Sequence, residues 1–214
     1  MEQSQKQIIE ILKQGGIGIF PTDTIYGLVG RALLPETVER IYKVRKRQPD
    51  KPFIILISSI DDLKLFGINI NNLDPSPALP PRRGEGVNSA AFPYKVEGVS
   101  RKILKKYWPG PVSIILPCPE EGFEYLHRGT KNLAFRLPDK NDLIKILKQT
   151  GPLVAPSANP EGLILAKTIK EAEKYFGQQV DFYFDAGRME SEPSTLIKIE
   201  NNKIEVIRQG AAKL

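Results

Sequence analysis

Apolar residues return at helical spacing in residues 3–14 (QSQKQIIEILKQ), where Ile8, Ile9, Ile11 and Leu12 share one side. Gly15-Gly16 then predicts the end of that helix, because glycine takes the left-handed C-terminal conformation without steric cost. Ile17 to Phe20 is a short apolar run leading into Pro21, the pattern of a buried strand. Within residues 36–47, Val38, Ile41, Tyr42 and Arg45 fall on one helical face. Phe53 to Ile57 reads as a second buried strand. The same reading predicts helices near 60–66, 99–107, 141–149 and 168–176, and strands at 112–116, 132–136, 153–155, 181–185, 195–199 and 203–208. Asn201-Asn202 leaves only a tight turn between the last two strands, which predicts a hairpin. Strands alternating with helices indicate an α/β fold. The hairpin makes the sheet mixed parallel and antiparallel, with helices packed on it. A single domain over residues 1–214 is expected, since no internal repeat interrupts the order.

One stretch breaks the pattern. Residues 74–98 hold five prolines and three glycines and show no apolar period, so an irregular loop-like insert is expected there. Composition narrows the function classes. No apolar run approaches the roughly 20 residues that span a bilayer, so no membrane association is expected. Residues 1–13 carry Glu2 and Glu10 and lack a basic segment followed by an apolar one, so no signal peptide is expected. A lone cysteine, Cys118, excludes an internal disulfide and a cysteine zinc cage, and a reducing, cytoplasmic setting is expected. Lysine and arginine outnumber acids 31 to 25, which suits a phosphate-bearing partner, nucleotide or RNA.

Candidate chemistry sits where strands end. Pro21-Thr-Asp-Thr-Ile-Tyr-Gly27 places two hydroxyls and a carboxylate after a strand, with Tyr26 and Gly27 turning the chain away. Loops at strand ends are where α/β sheets bind ligands, although a capped turn favours the same residues. Arg45-Lys46-Arg47 and Lys51 suit a polyphosphate, or a helix end whose dipole they satisfy. Arg136 closes a strand before Pro138, and Ser157 and Asn159 follow Pro156. Ser194-Thr195 opens a strand, and Arg208 ends the last one. Neither GxxxxGK[ST] nor GxGxxG occurs, so any nucleotide site uses another geometry. His127, the only histidine, lies in a connection, and Cys118 sits between prolines, so inert packing is expected of Cys118 and no triad is expected around His127.

Taken in order, PTDTIYGL, KVRKRQPDKPF, KYWPGPVSIIL, AFRLPD, APSAN, PSTL and IRQG resemble the YrdC-like family, the threonylcarbamoyl-AMP synthases. The resemblance runs from Gly15 to Gly210 outside the 74–98 insert. It implies a twisted mixed α/β sheet with a concave basic face. It also implies a nucleotidyltransferase that joins L-threonine, bicarbonate and ATP into threonylcarbamoyl-AMP and pyrophosphate. That product would feed a downstream transferase that modifies a tRNA adenosine. By the same resemblance, Thr24, Arg136, Ser157 and Ser194 hold threonine, with Arg136 on its carboxylate. Arg47, Lys51, Asn132, Asn159 and Arg208 serve ATP, and Mg2+ accompanies the ATP phosphates without an assigned protein ligand. No residue is assigned as catalytic. Two departures stand out: Arg45 replaces the family's usual lysine, and Glu161-Gly162 stands where a Ser-Gly pair is common. An RNA-binding module, with weak tRNA contact, and a carbamoyl-adenylating or non-catalytic paralogue on the same fold remain as alternatives.

Overall fold

The structure, a computed structural model, describes residues 4–70, 94–95, 99–118, 120–200 and 203–214. Helix α1 (Gln5–Lys13) begins at a capping box: Gln7 N donates to the Ser4 hydroxyl, and Ser4 N donates to the Gln7 side chain. Strand β1 (Gly18–Pro21) follows, then β2 (Tyr26–Arg31) and helix α2 (Pro35–Arg45). Proline at its start and a left-handed Lys46 just past its end bound α2, and Val38, Ile41, Tyr42 and Arg45 are all buried, as their spacing predicts. Strand β3 (Ile54–Leu56), a 3-10 helix (Ile60–Phe66), β4 (Ile68–Asn69), β5 (Tyr94–Lys95), α3 (Arg101–Tyr107) and β6 (Val112–Pro117) come next. The chain continues through α4 (Glu124–His127), β7 (Asn132–Arg136), α5 (Asn141–Thr150), β8 (Leu153–Val154) and α6 (Ile169–Phe176). It closes with β9 (Phe182–Tyr183), β10 (Thr195–Glu200) and β11 (Lys203–Arg208).

Nine strands form one mixed sheet in the order β11-β10-β6-β7-β3-β8-β2-β1-β9. The β3–β7, β6–β10 and β1–β9 pairs are parallel, and the others are antiparallel. Alternating side chains divide the core between the two faces. Ile19, Leu28, Ile55 and Val154 pack in one cluster with Val38 and Ile41 of α2, Leu104 of α3 and Phe176 of α6. Their neighbours Phe20, Val29, Leu56 and Leu153 pack in the other, with Ile8 and Leu12 of α1 and Leu143, Ile146 and Leu147 of α5. The sheet is therefore the middle of three layers.

Three local expectations change. Tyr26 and Gly27 do not turn the chain away. They open β2, which pairs antiparallel with β1, so Thr22 to Ile25 is the tip of a hairpin. Glycine is needed within β2, because a Cβ on Gly30 would stand 2.6 Å from Thr37 Cγ2 on α2. Residues 60–66 are a 3-10 helix rather than an α-helix, and α4 is an additional single turn. The irregular stretch expected at 74–98 lies outside the described residues except for Tyr94–Lys95, which pairs with Ile68–Asn69. The proposed turn at Asn201-Asn202 also lies outside them, but the β10–β11 hairpin it would close is present.

Candidate functional site

Register places Ile54 and Leu56 of β3 beside Ala134 and Arg136 of β7, all on the face that α1 and α5 cover. Leu56 is buried among those helices, and Ile54 is only partly covered by them. Beyond them Ile54, Ala134, Arg136 and Leu196 contribute to a cavity of about 270 Å³. Its walls come from separate parts of the chain: the β1–β2 turn, the end of α2 and the loop after it, the segment after β8, and the two strands of the last hairpin. Thr24, Arg136, Ser157 and Ser194 all line it, as do Arg47 and Arg208. Thr24, after β1, and Arg208, at the end of β11, thus line one cavity, because both strands belong to one sheet.

The hairpin tip is built by Thr22. Its hydroxyl donates to Ile25 O at 2.7 Å, accepts from the amides of Thr24 and Ile25, and lies 3.1 Å from the Thr24 hydroxyl. Tyr26 anchors the base of the tip by donating to Gly187 O and accepting from Ala186 N. The segment after β8 is docked onto β2 through Leu28 N to Pro156 O and Ala158 N to Tyr26 O. Ser194, just before β10, shares a 2.8 Å hydrogen bond with the buried Ser113 hydroxyl.

Four arginines line the cavity. Arg45 donates through Nε to Asn159 O at 2.8 Å and through Nη2 to the Ser157 hydroxyl and Asn159 Oδ1. Burial first, then the neighbouring Arg47 charge, pushes its pKa down to about 10. Arg47 donates to Lys51 O and Pro52 O and lies over the Phe53 ring. Arg208 donates to Ser194 O. Arg136 differs: its Nη2 is 3.1 Å from Asp23 Oδ1, but its Nε has no hydrogen-bond partner. Burial pushes its pKa down, opposed by Asp23 and reinforced by Arg208. Arginines crowded around hydroxyls, with apolar walls, suit an anion bearing planar or tetrahedral oxygens.

Three residues assigned to ATP by resemblance are not among the cavity's lining. Lys51 Nζ bonds the Glu161 carboxylate at 2.7 Å. The Asn159 side-chain amide donates within its own segment, to Pro160 O and Leu163 O, while its oxygens accept from Arg45. Asn132 begins β7, about 13 Å along the strand from Arg136 at the usual rise per residue, and its Nδ2 donates to Thr130 O. Conversely, Asp23 stood in the sequence only as the carboxylate of a strand-end loop or capped turn, with no partner assigned. No local signal could pair it with Arg136, because that contact depends on the order of strands. His127 is buried and its Nδ1 accepts from Gly129 N, away from the cavity. Cys118 is buried and its thiol is pushed up to about 11, mainly by desolvation. Among the described residues no group of three or more His, Cys, Asp or Glu side chains is placed to hold a metal, and no helix is long and apolar enough to cross a membrane.

Comparison with known proteins adds to this geometry. A family model named Sua5_yciO_yrdC and described as "Telomere recombination" matches residues 10–78 and 85–210. A relative from Methanocaldococcus jannaschii is 29% identical over 214 residues, covering 98% of this chain and 88% of its own. The Threonylcarbamoyl-AMP synthase of Schizosaccharomyces pombe is 34% identical over 146 residues, 65% of this chain but only 34% of the fission-yeast protein. The chain therefore spans about a third of that relative's length. Among solved structures, E. coli YciO aligns with a TM-score of 0.75 at 21% identity, covering 100% of this chain and 98% of that one. The structure titled P. abyssi Sua5 complexed with L-threonine aligns with a TM-score of 0.74 at 24% identity, covering 96% of this chain and 54% of that one. These two similarities speak for the fold, while the family model covers the cavity-lining residues from Thr22 to Arg208, and on that match the chain belongs to the Sua5/YciO/YrdC family.

Proposed function

We propose that this chain is a threonylcarbamoyl-AMP synthase. The observation that carries the reading is the convergence, in one cavity, of Thr24, Arg47, Arg136, Ser157, Ser194 and Arg208 from distant parts of the chain. Family membership and the named relatives support it. In this reaction the threonine amine and bicarbonate lose water to form a carbamate. A carbamate oxygen then forms a bond to the ATP α-phosphorus, the bond from that phosphorus to the bridging oxygen breaks, and pyrophosphate leaves. No covalent enzyme intermediate is needed. The protein's tasks are to hold two anions together and to neutralise charge as it moves toward pyrophosphate. A cavity rich in arginine and hydroxyls suits those tasks.

In this reading Arg136 takes the threonine carboxylate, with Thr24, Ser157 and Ser194 around the rest of the amino acid. Arg47 and Arg208 face the phosphates. Lys51 reaches ATP only by exchanging its bond to Glu161. ATP enters as its magnesium complex, with the ion carried on the phosphates. The product is consumed by a separate transferase acting on tRNA, and the setting is cytoplasmic. The arginines turn into a cavity rather than spreading over a face, which favours small-molecule binding over an RNA platform.

Pyrophosphate release from ATP tests the proposal. Release that requires both L-threonine and bicarbonate is the expected result. Release indifferent to threonine, or RNA binding with no turnover, overturns it.

A further inference from the structure

Asp23 and Arg136 are a buried pair whose side chains are 4% and 5% exposed. The pair is not a paired fork. Asp23 Oδ1 lies 3.1 Å from Arg136 Nη2, yet neither that oxygen nor Arg136 Nε makes a hydrogen bond. What fixes the carboxylate is the stretch after β7. Asp139 N approaches Asp23 Oδ2 at 3.4 Å, and Lys140 Nζ donates to Pro21 O and Thr22 O. The stretch after β7 and the hairpin tip therefore grip one another, with the ion pair between them. Arg136 lines the cavity, whereas Asp23 is not among the lining residues.

We propose that Asp23 is the positioning residue for Arg136: it balances the buried guanidinium and holds it with donor capacity left over for a substrate carboxylate. A buried arginine normally spends its donors on the protein, because leaving them unmade is costly. Here the charge is compensated without using the donors. The carboxylate also opposes the effect of burial on Arg136. Without it, the isolated cation would gain by turning toward water or toward backbone carbonyls. Asp23 does not touch substrate in this scheme and acts only through the arginine.

The inference about substrate rests on the proposed function, so the test has two arms. The first needs no substrate. The Nε–Hε signal of Arg136, assigned by its loss in Arg136→Lys, is expected to be sharp in the wild-type protein and to shift or broaden in Asp23→Asn. Asparagine keeps the shape and can still accept from Asp139 N. The second arm is steady-state kinetics. Asp23→Asn is expected to raise the KM for threonine about 10-fold, as for loss of a charge-assisted contact, with the KM for ATP and kcat at saturating threonine retained. A merely structural role would lower all parameters together. Asp23→Glu, which keeps the charge but displaces it, is expected to recover part of the threonine KM. If Asp23→Asn does not fold, Asp23→Glu decides, and a wild-type threonine KM in that folded variant overturns the proposal. An unchanged Arg136 signal in folded Asp23→Asn also overturns it. If the wild-type protein shows no threonine-dependent turnover while the signal still responds to Asp23→Asn, the functional reading fails and the positioning role stands.

Discussion

Arg45 and Arg136 line the same cavity and are almost equally buried, at 3% and 4% exposed, yet their surroundings are opposite. Arg45 spends three hydrogen bonds on the Ser157–Asn159 segment, so it works as a brace for that wall. Arg136 faces a carboxylate without forming hydrogen bonds to it, and one of its donors has no partner. Burial alone does not separate a structural arginine from a ligand-binding one. The donor account does: a guanidinium whose donors are used has little left for a ligand, and one whose charge is balanced but whose donors are free is prepared for one.

The largest effect that would sharpen this contrast is on stability. Arg45→Met leaves Asn159 O, Asn159 Oδ1 and the Ser157 hydroxyl without that donor, and should cost about 3 kcal/mol in chemical denaturation. A loss well under 1 kcal/mol, relative to the roughly 1–3 expected for stranding a single buried polar group, would break the assignment of Arg45 as a brace. The next effect is on substrate use. Arg136→Lys keeps a charge opposite Asp23 but loses the planar fork, and should raise the KM for threonine about 100-fold, about 2.7 kcal/mol, with little change in denaturation midpoint. A wild-type KM in that variant would remove Arg136 from the binding machinery.

The smallest effect uses Cys118 as a buried polar group with no ligand role. Its thiol is raised from 9.0 to about 11. Between those values the unfolded chain has lost the proton and the native chain has not. The unfolded state thus binds fewer protons, and stability that is fully present below pH 9 is lost as pH rises toward 11. The slope is at most about 1.4 kcal/mol per pH unit. Cys118→Ala should flatten that part of the stability profile relative to wild type. A wild-type slope in the variant would assign the loss to other groups.

The helical faces were legible along the chain because a single period describes them. The α2 stripe even included Arg45, whose burial its spacing implied before any partner was known. Strand β2 was not legible. Both of its faces are buried, so no alternation marks it, and Gly27 and Gly30 look like turn residues although Gly30 is small because α2 packs on it. Helix α4, at four residues, is too short for a helical period to show. Of the residues that the family resemblance assigned to substrates, the cavity gathers Thr24, Arg47, Arg136, Ser157, Ser194 and Arg208. Lys51, Asn132 and Asn159 are not among its lining residues, since Lys51 pairs with Glu161, Asn132 stands at the far end of β7 and the Asn159 oxygens accept from Arg45, contacts that a motif does not encode.

Local order therefore settled the α/β class, the mixed sheet and the motifs at strand ends, since each depends on neighbours in the chain and on short periods. The pairing of Asp23 with Arg136, the bracing by Arg45 and the cavity itself were decided by the tertiary structure. Those contacts join residues more than a hundred positions apart, and only the order of strands in the sheet brings them within reach.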